Sequence, residues 1–465
     1  MVHRERLVAV ATLAALQVFA VAAGAALLAG DGLNTTPRPP AVAVAPTPAP
    51  VPIVTSEPVL VSGGQGTAPS KGTLGARLAQ ALGDRALGGN VAAVAVDVTS
   101  GDRLFGSRAD TGLTPASTTK VVTAVAALTS LGPDAKIATR VVLGKGRSIV
   151  LVGGGDAMLA GPKAGKGGYP RPATLATLAA RTAKALKEQG VTSVTLSYDD
   201  SLFSGPRTAP GWKPGYIPEG SVAPVSALTM DEGRTDPDGD ARYPDPAGAT
   251  ADAFRALLAR NGVKTAKAVK RERAPSGAAE LARVESAPVY ELVEHMLTVS
   301  DNDVAEALTH LVAVKEGKPG NFPGGAQAVQ AILKKLGAAQ GVATYDGSGL
   351  STRNRITPAA LARLVSLAAA PGNPHLRSAI SGLPVAGFTG TLDNRYDRPD
   401  TRPGAGMVRA KTGTLNGVNT LTGLARTAEG RLVAFAFMAD EVADPQGAMA
   451  ALDRLATVVS RCGCS

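Results

Sequence analysis

Apolar positions along this chain fall into three regimes. From Leu7 to Leu28 they form a nearly unbroken run; from 34 to 71 they are interleaved with proline and almost no charge; from about Gly72 they recur with the periods of strands and helices. NVAAVAVDVTSGDRLF (90–105) alternates as two strands turning at Gly101-Asp102, and the apolar run after Thr114-Pro115 predicts a helix. IATRVVLG and RSIVLVGGGD read as strands, and 161–168 as a loop. TLATLAARTAKALKEQGV is an amphipathic helix stopped at Gly190, VTSVTLSYD a strand, and ADAFRALLARNGV a second helix. Helices dominate after 288 as far as VATYDGSGLSTRNRIT. The end is strand-like, AKTGTLNG and then a hairpin turning at Glu429-Gly430, closed by a helix over 446–460. Strands at both ends with helices between predict an α+β body whose two ends share an antiparallel sheet, with an α/β subdomain inserted at 161–284 and the main body at 72–160 and 285–465.

The first 30 residues are expected to be a signal peptide or membrane anchor. His3, Arg4 and Arg6 precede the apolar run, and Ala23-Gly24-Ala25 offers a cleavage site. The run also approaches the roughly 20 residues that span a bilayer, so an uncleaved anchor is equally compatible. Asp31 stands where a lipoprotein needs cysteine, which argues against a lipid anchor. Residues 31–71 form a semi-extended Pro-rich linker. Either way the folded part acts outside the cytoplasm, secreted to the wall or held at the outer face of the membrane.

Charge and composition change this little. A formal charge of +10 and a pI near 9.6 favour polyanions, but no nucleic-acid motif accompanies the basic residues, so nucleic acid is not an expected partner. Cys462 and Cys464 are the only cysteines and imply no disulfide framework; with four histidines in the chain, no metal site and no cofactor is expected. GPKAGKGG has the wrong glycine spacing for a phosphate loop and lacks the Ser or Thr after lysine.

The chemistry begins at TPASTTKVVTAVAAL (114–128). Ser117 and Lys120 are three residues apart at a helix start, so they share a face with Cβ atoms about 5 to 6 Å apart. The helix N-terminus also directs free N–H groups at whatever the serine attacks. A lysine can deprotonate serine only when neutral, and at the ordinary pKa of about 10.4 only about one in a few thousand is neutral at pH 7. Lowering it by about three units costs about 4 kcal/mol, which burial and a second cation supply. Lys411 in AKTGTL is the candidate for that cation.

Ser300-Asp301-Asn302 could merely cap the helix DVAEALTHLVAV, but S-x-x-K, S-D-N and K-T-G in this order form the set shared by penicillin-binding proteins and class A β-lactamases. With GGGD (153–156), GVTSVTLSYDDSLFSGP and Trp212, PVSALTMDEGR (224–234), YDGSGLSTRNRITP (345–358) and GTLDNR (390–395), the chain resembles the D-alanyl-D-alanine carboxypeptidases of the low-molecular-weight penicillin-binding type, peptidase family S13, over roughly 75–460. Ala157 departs from the family's usual proline.

The resemblance implies a serine penicillin-binding, β-lactamase-like transpeptidase-type fold and activity on peptidoglycan stem peptides. It further implies carboxypeptidase or cross-link endopeptidase cleavage, with β-lactams as covalent inhibitors. It implies Ser117 as nucleophile, Lys120 as base, Ser300 as proton relay and Asn302 as a ligand of the substrate amide. Lys411, Thr412, Gly413 and Thr414 would hold the terminal carboxylate, and the N–H groups of Ser117 and Thr414 the oxyanion. Ser348, Leu350 and Leu415 would line the side-chain pocket, and Asp301 would orient its own turn. Trp212 reads more readily as a core residue.

Two rivals remain at this stage. A class A β-lactamase needs a deacylating Glu in E-x-x-x-N, and no Glu here has Asn four residues on. A non-catalytic wall-binding or sensor protein has no use for a neutralised lysine.

Overall fold

A computed structural model of the chain describes residues 66–463 apart from Lys166 and Lys267. The N-terminal apolar run, most of the Pro-rich segment and Cys464 lie outside the described residues, and with them the reading of an export signal or anchor. Among the described residues no helix is long and apolar enough to cross a membrane.

Helix α1 (Lys71–Leu82) leads into strands β1 (Asn90–Asp97) and β2 (Arg103–Ser107). Their turn is pinned by the Asp97 carboxylate, which accepts from the Thr99 and Ser100 N–H groups at 2.8 Å each. Helix α2 (Thr119–Ser130) follows and is buried continuously from Thr119 to Leu128, so it is a core helix with no solvent face.

The inserted region is a second sheet. Strands β3 (Ala138–Leu143) and β4 (Ser148–Val152) form a hairpin, helix α3 (Leu175–Glu188) crosses over, and β5 (Ser193–Asp199) lies parallel to β4. Helix α4 (Pro246–Arg260), the short strands β6 (Lys264–Thr265) and β7 (Lys270–Arg271), and β8 (Glu280–Glu285) complete it, in the order β6-β5-β4-β3-β8 with β7 on β5. Leu151, Leu178, Phe254 and Leu258 pack the two helices onto the sheet. This moves the start of the insertion from 161 back to 138. Both edges of the β3–β4 hairpin are occupied by β8 and β5, and apolar alternation alone cannot tell which sheet a strand will join.

Helices α5 (Val289–Thr298), α6 (Asn302–Lys315) and α7 (Phe322–Lys335) form the helical core with α2. The short pair β9 (Val342–Ala343) and β10 (Arg355–Ile356) frames the DGSGL loop, and α8 (Pro358–Ala369) follows. Strands β11 (Val408–Leu415), β12 (Val418–Arg426) and β13 (Leu432–Asp440) then join β1 and β2 in an antiparallel sheet of order β11-β12-β13-β1-β2, and α9 (Pro445–Ser460) closes the chain.

Here both faces of the sheet are buried. Ala92, Val94, Ala434, Ala436 and Met438 pack with the helical core, while Ala93, Ala95, Val433, Phe435 and Phe437 pack under α1 and α9. Each fully buried Phe contributes about 1.5–3 kcal/mol. The register Asn90↔Asp440 through Asp97↔Val433 ties the two ends of the chain together and leaves β11 at the edge. Cys462 is buried and disulfide-bonded.

Candidate active site

Ser117 sits in a short 3-10 turn, Ala116–Thr118, that feeds directly into α2. The turn is held by hydroxyls: Thr118 Oγ1 donates to the Pro115 carbonyl at 2.6 Å, Thr119 Oγ1 to Ala116 O at 2.9 Å, and Thr420 Oγ1 of β12 to Pro115 O at 2.8 Å. Ala116 takes φ +48°, a left-handed conformation that a non-glycine residue holds only when its surroundings impose it. The consequence is a half-buried Ser117 at a helix start, where the first N–H groups have no partner within the helix.

Lys120, one turn on, is fully buried. Its Nζ lies 3.1 Å from Ser117 Oγ, 2.6 Å from Asn302 Oδ1 and 2.8 Å from the Ser348 carbonyl. Burial pulls the amine down from 10.5 to about 8, against the carboxyls of Asp301, Asp346, Glu306 and Asp303, which favour the charged form. At 3.1 Å the Ser117 hydroxyl can equally donate to the neutral amine.

Lys411 enters from β11 and is also fully buried, its Nζ donating to Thr412 O at 3.0 Å. Burial, and then the positive charge of Lys120, hold it well below the ordinary lysine value.

Strand β11 lies against the Ser117 turn, and its outer edge is only partly covered. Val408 O and Ala410 N bond outward to Ala386 N and Pro384 O. By strand alternation the N–H groups of Thr412 and Thr414 point to that same edge, beyond the covered stretch. Gly413 is required by close approach, since a Cβ there would fall 2.8 Å from Pro115 O and 2.2 Å from Thr420 Oγ1. Thr412 Oγ1 is held 2.8 Å from Thr391 Oγ1 of the GTLDNR stretch.

Ser300 and Asn302 come from the α5–α6 junction. Ser300 takes φ +64°, Asp301 caps α6 by accepting from Val304 N at 2.9 Å, and Asn302 splits its amide between Lys120 and the Ser221 carbonyl, 2.8 Å from Nδ2. Ser221 lies between β5 and α4, so the segment that builds the second sheet reaches Asn302 through a backbone carbonyl.

The DGSGL loop bears on the site differently from its sequence reading. Ser348 is buried, its hydroxyl donates to Asp346 and accepts from Leu350 N, and what it presents to Lys120 is its carbonyl. Leu350 and half-buried Leu415 join Tyr216, Val222, Trp212 and Ile217 in a small apolar cluster. Trp212 Nε1 donates to Asp346 Oδ2 at 2.8 Å, so this side chain fastens the loop.

Sequence reasoning missed the two acids that shape that loop. Asp346 accepts from the N–H groups of Gly349 and Ser351 and from Asn354 Nδ2, and Glu306 accepts from the N–H groups of Gly347 and Ser348. Burial and then Asp346 push Glu306 up to about 8. Its signal was its position, four residues after Asn302 and hence on the same face of α6.

Among the described residues one group, Glu232, His295 and Asp301, has donor atoms all within 4.8 Å, the spacing of a metal site. Those atoms already have partners. His295 Nε2 lies 3.1 Å from Asp301 Oδ2, and Arg234 Nε donates to Glu232 Oε2 at 3.1 Å, so an added cation would sit beside a guanidinium. No metal role is assigned to them.

Comparison with known proteins matches this geometry. The sequence profile of the D-Ala-D-Ala carboxypeptidase 3 (S13) family matches residues 74–243 and 240–459. A carboxypeptidase of Mycobacterium tuberculosis is 39% identical over 408 residues, covering 85% of this chain and 86% of the relative. Carboxypeptidase DacB of Mycolicibacterium smegmatis is 37% identical over 403 residues, covering 85% of each. Among solved structures, penicillin binding protein 4 (dacB) of Haemophilus influenzae has a TM-score of 0.68 at 23% identity, over 82% of this chain and 97% of that one, and so shares the fold. The chain belongs to the D-Ala-D-Ala carboxypeptidase 3 (S13) family.

Proposed function

We propose that this protein is a serine D-Ala-D-Ala carboxypeptidase of the cell wall, acting on peptidoglycan stem peptides through an acyl-enzyme on Ser117. The observation that carries this is the buried Lys120 amine 3.1 Å from Ser117 Oγ, with the Lys411 amine near enough to be felt electrostatically.

The substrate's terminal carboxylate docks at the open edge of β11 against Lys411, Thr412 and Thr414. A carboxylate beside Lys411 favours the ammonium form of that amine, and the charge so held favours the neutral form of Lys120. Ser117 Oγ attacks the carbonyl carbon of the penultimate D-alanine, and its proton passes to Lys120 Nζ. The oxyanion faces the N–H groups of Ser117 and Thr414. As the C–N bond breaks, the proton returns through the Ser300 hydroxyl to the amine of the departing D-alanine. Water, deprotonated by Lys120, then releases the shortened peptide and restores the Ser117 hydroxyl. A β-lactam undergoes the same attack, but its cleaved amide stays tethered and blocks that water.

The same steps serve a D-amino-acid cross-link, whose leaving group carries a carboxylate and a larger side chain. Action on the wall and the charged, apolar N-terminal segment together support export, with residues 1–30 as signal or anchor and 31–71 as spacer.

The test is release of terminal D-alanine from a D-Ala-D-Ala pentapeptide, with mass spectrometry of products from purified peptidoglycan. Release that is abolished in Ser117→Ala supports the proposal. Undiminished release by that variant refutes it, and rapid turnover of penicillin would return the β-lactamase reading.

A further inference from the structure

Behind the Ser300-Asp301-Asn302 turn lies a polar cluster, Asp301 buried and Glu232 and His295 partly buried, that the steps above do not use. His295, in the last turn of α5, places Nε2 3.1 Å from Asp301 Oδ2. A carboxylate at that distance favours the imidazolium. Glu232 comes from the inserted region, in a turn where Asp231, Glu232 and Gly233 all take positive φ (48°, 56° and 72°). One of its carboxyl oxygens lies within 4.8 Å of both the His295 nitrogen and the Asp301 carboxylate. Two carboxyls this close repel when both are ionised, which favours a proton on one of them. The ionised one is Asp301, which caps α6 and accepts from Val304 N.

We propose, resting on the carboxypeptidase reading, that Glu232 and His295 are positioning residues. Facing it from two different elements, they fix the Asp301 carboxylate, and through it the left-handed Ser300 and the Lys120-bound Asn302.

Three further observations fit this. Left-handed non-glycine backbone at Ser300 needs surroundings that over-determine it, and Asp301 is tied by Val304 N and His295, with the Glu232 carboxyl within 4.8 Å. Arg242 of the insertion reinforces the same junction, donating to the Glu232 and Gly220 carbonyls at 2.7 and 2.9 Å and pairing with Asp303 at 3.2 Å. Burial, with Asp301 and Asp303 behind it, pushes Glu232 up to about 8, against Arg234 and His295. His295 is raised although burial, the largest single influence, opposes it, because Asp301 and its other neighbours together outweigh burial.

Glu232 is faced by Asp301 and Asp303 from α6, His295 from α5 and Arg234 from its own turn. Asp231 beside it is engaged by Gly161 N at 2.8 Å, and Asp240 pairs with Arg234 at 3.7 Å. When Glu232 ionises it becomes a second anion against Asp301, so the turn loosens on the alkaline side.

The test uses the full-length protein and a fluorescent penicillin, following the rate of Ser117 acylation and D-alanine release from pH 6 to 10. Glu232→Ala and His295→Ala are expected to lose at least about tenfold in both rates at pH 7. Glu232→Gln keeps the donor without the titration. It is expected to stay within about twofold of the parent at pH 7 and to abolish a decline of about fivefold or more that the parent shows between pH 8 and 10. Full activity of Glu232→Ala, failure of Glu232→Gln to rescue, or an alkaline decline that survives in Glu232→Gln overturns the proposal. So does stoichiometric zinc in the purified protein whose removal changes the rates. Should Glu232→Ala not fold, the pH profile of Glu232→Gln decides alone. Ser117→Ala separates the two readings: if it is inert while the Glu232 variants are unaffected, only the positioning role fails.

Discussion

Lys120 offers the sharpest test, because its proton decides whether Ser117 can attack. Burial lowers its amine from 10.5 to about 8, and the protonated form is the inactive one, so activity is lost as pH falls through about 8. At pH 6 about one amine in a hundred is neutral, at pH 7 about one in eleven, and at pH 8 about half. The rate of Ser117 labelling by a fluorescent penicillin, which isolates acylation from deacylation, should rise about tenfold from pH 6 to 7 and bend over near pH 8. An amine left at 10.5 would be neutral about once in three thousand at pH 7, and its profile would climb without a bend past pH 10. The two cases differ about 300-fold in competent enzyme at pH 7, roughly 3 kcal/mol. Lys120→Arg, which keeps the charge and cannot release it, should lose at least about a thousandfold. A profile flat from pH 6 to 8 would refute lysine as the base, and an unbroken rise to pH 10 would refute its burial as the cause.

Gly413→Ala should reduce acylation at least about tenfold with little change in secondary structure by circular dichroism. Its Cβ meets Pro115 O at 2.8 Å and must push β11 off the Ser117 turn. Asp346→Ala should cost about 3 kcal/mol or more in urea unfolding, since it strands the donors of Gly349, Ser351, Asn354 and Trp212 at about 1–3 kcal/mol each when buried. Asp156, buried in the GGGD stretch with Met158 N as its donor, is pushed by burial from 3.8 to about 7. Its folded value lies above the unfolded one, so its contribution is full below about pH 4 and is lost as pH rises to about 7. Asp156→Asn should therefore stabilise the protein by up to about 4 kcal/mol at pH 8 and by almost nothing at pH 4, read from unfolding midpoints.

The parts of this site that could be read from sequence are those written in local spacing. Ser117 and Lys120 are three residues apart on one helix, so geometry joins them without knowledge of the fold. Lys411 could be sought because a buried lysine base calls for another amine nearby, and the KTG setting places one there, although burial and not Lys411 is what lowers Lys120. Glu306 and Asp346 were not legible. A glutamate in a helix and an aspartate before glycine are ordinary at the surface, and only tertiary packing turns them inward onto backbone N–H groups. The start of the insertion was misplaced for a similar reason: β3 and β4 alternate like β1 and β2, and nothing in alternation names the partner strand. Glu232 lies inside PVSALTMDEGR (224–234), yet its approach to Asp301 depends on three successive left-handed residues that no propensity signals.

The acids around Lys120 explain how a lysine can be both buried and basic here. Asp301, Asp346, Glu306 and Asp303 all favour its ammonium form, and burial outweighs all four. Glu306 is itself pushed to about 8 and Asp303 to about 7 by the same burial, so near neutral pH part of that negative charge is absent. Asp301, lowered by His295 against the pull of burial, caps α6 and of the four acids pulls hardest on the ammonium. The fold thus brings carboxyl groups close enough to organise the loops by hydrogen bonding, while burying the amine deeply enough to overcome their attraction. Acids that favour the ammonium, set against burial that opposes it, leave one amine able to accept and return a proton near physiological pH.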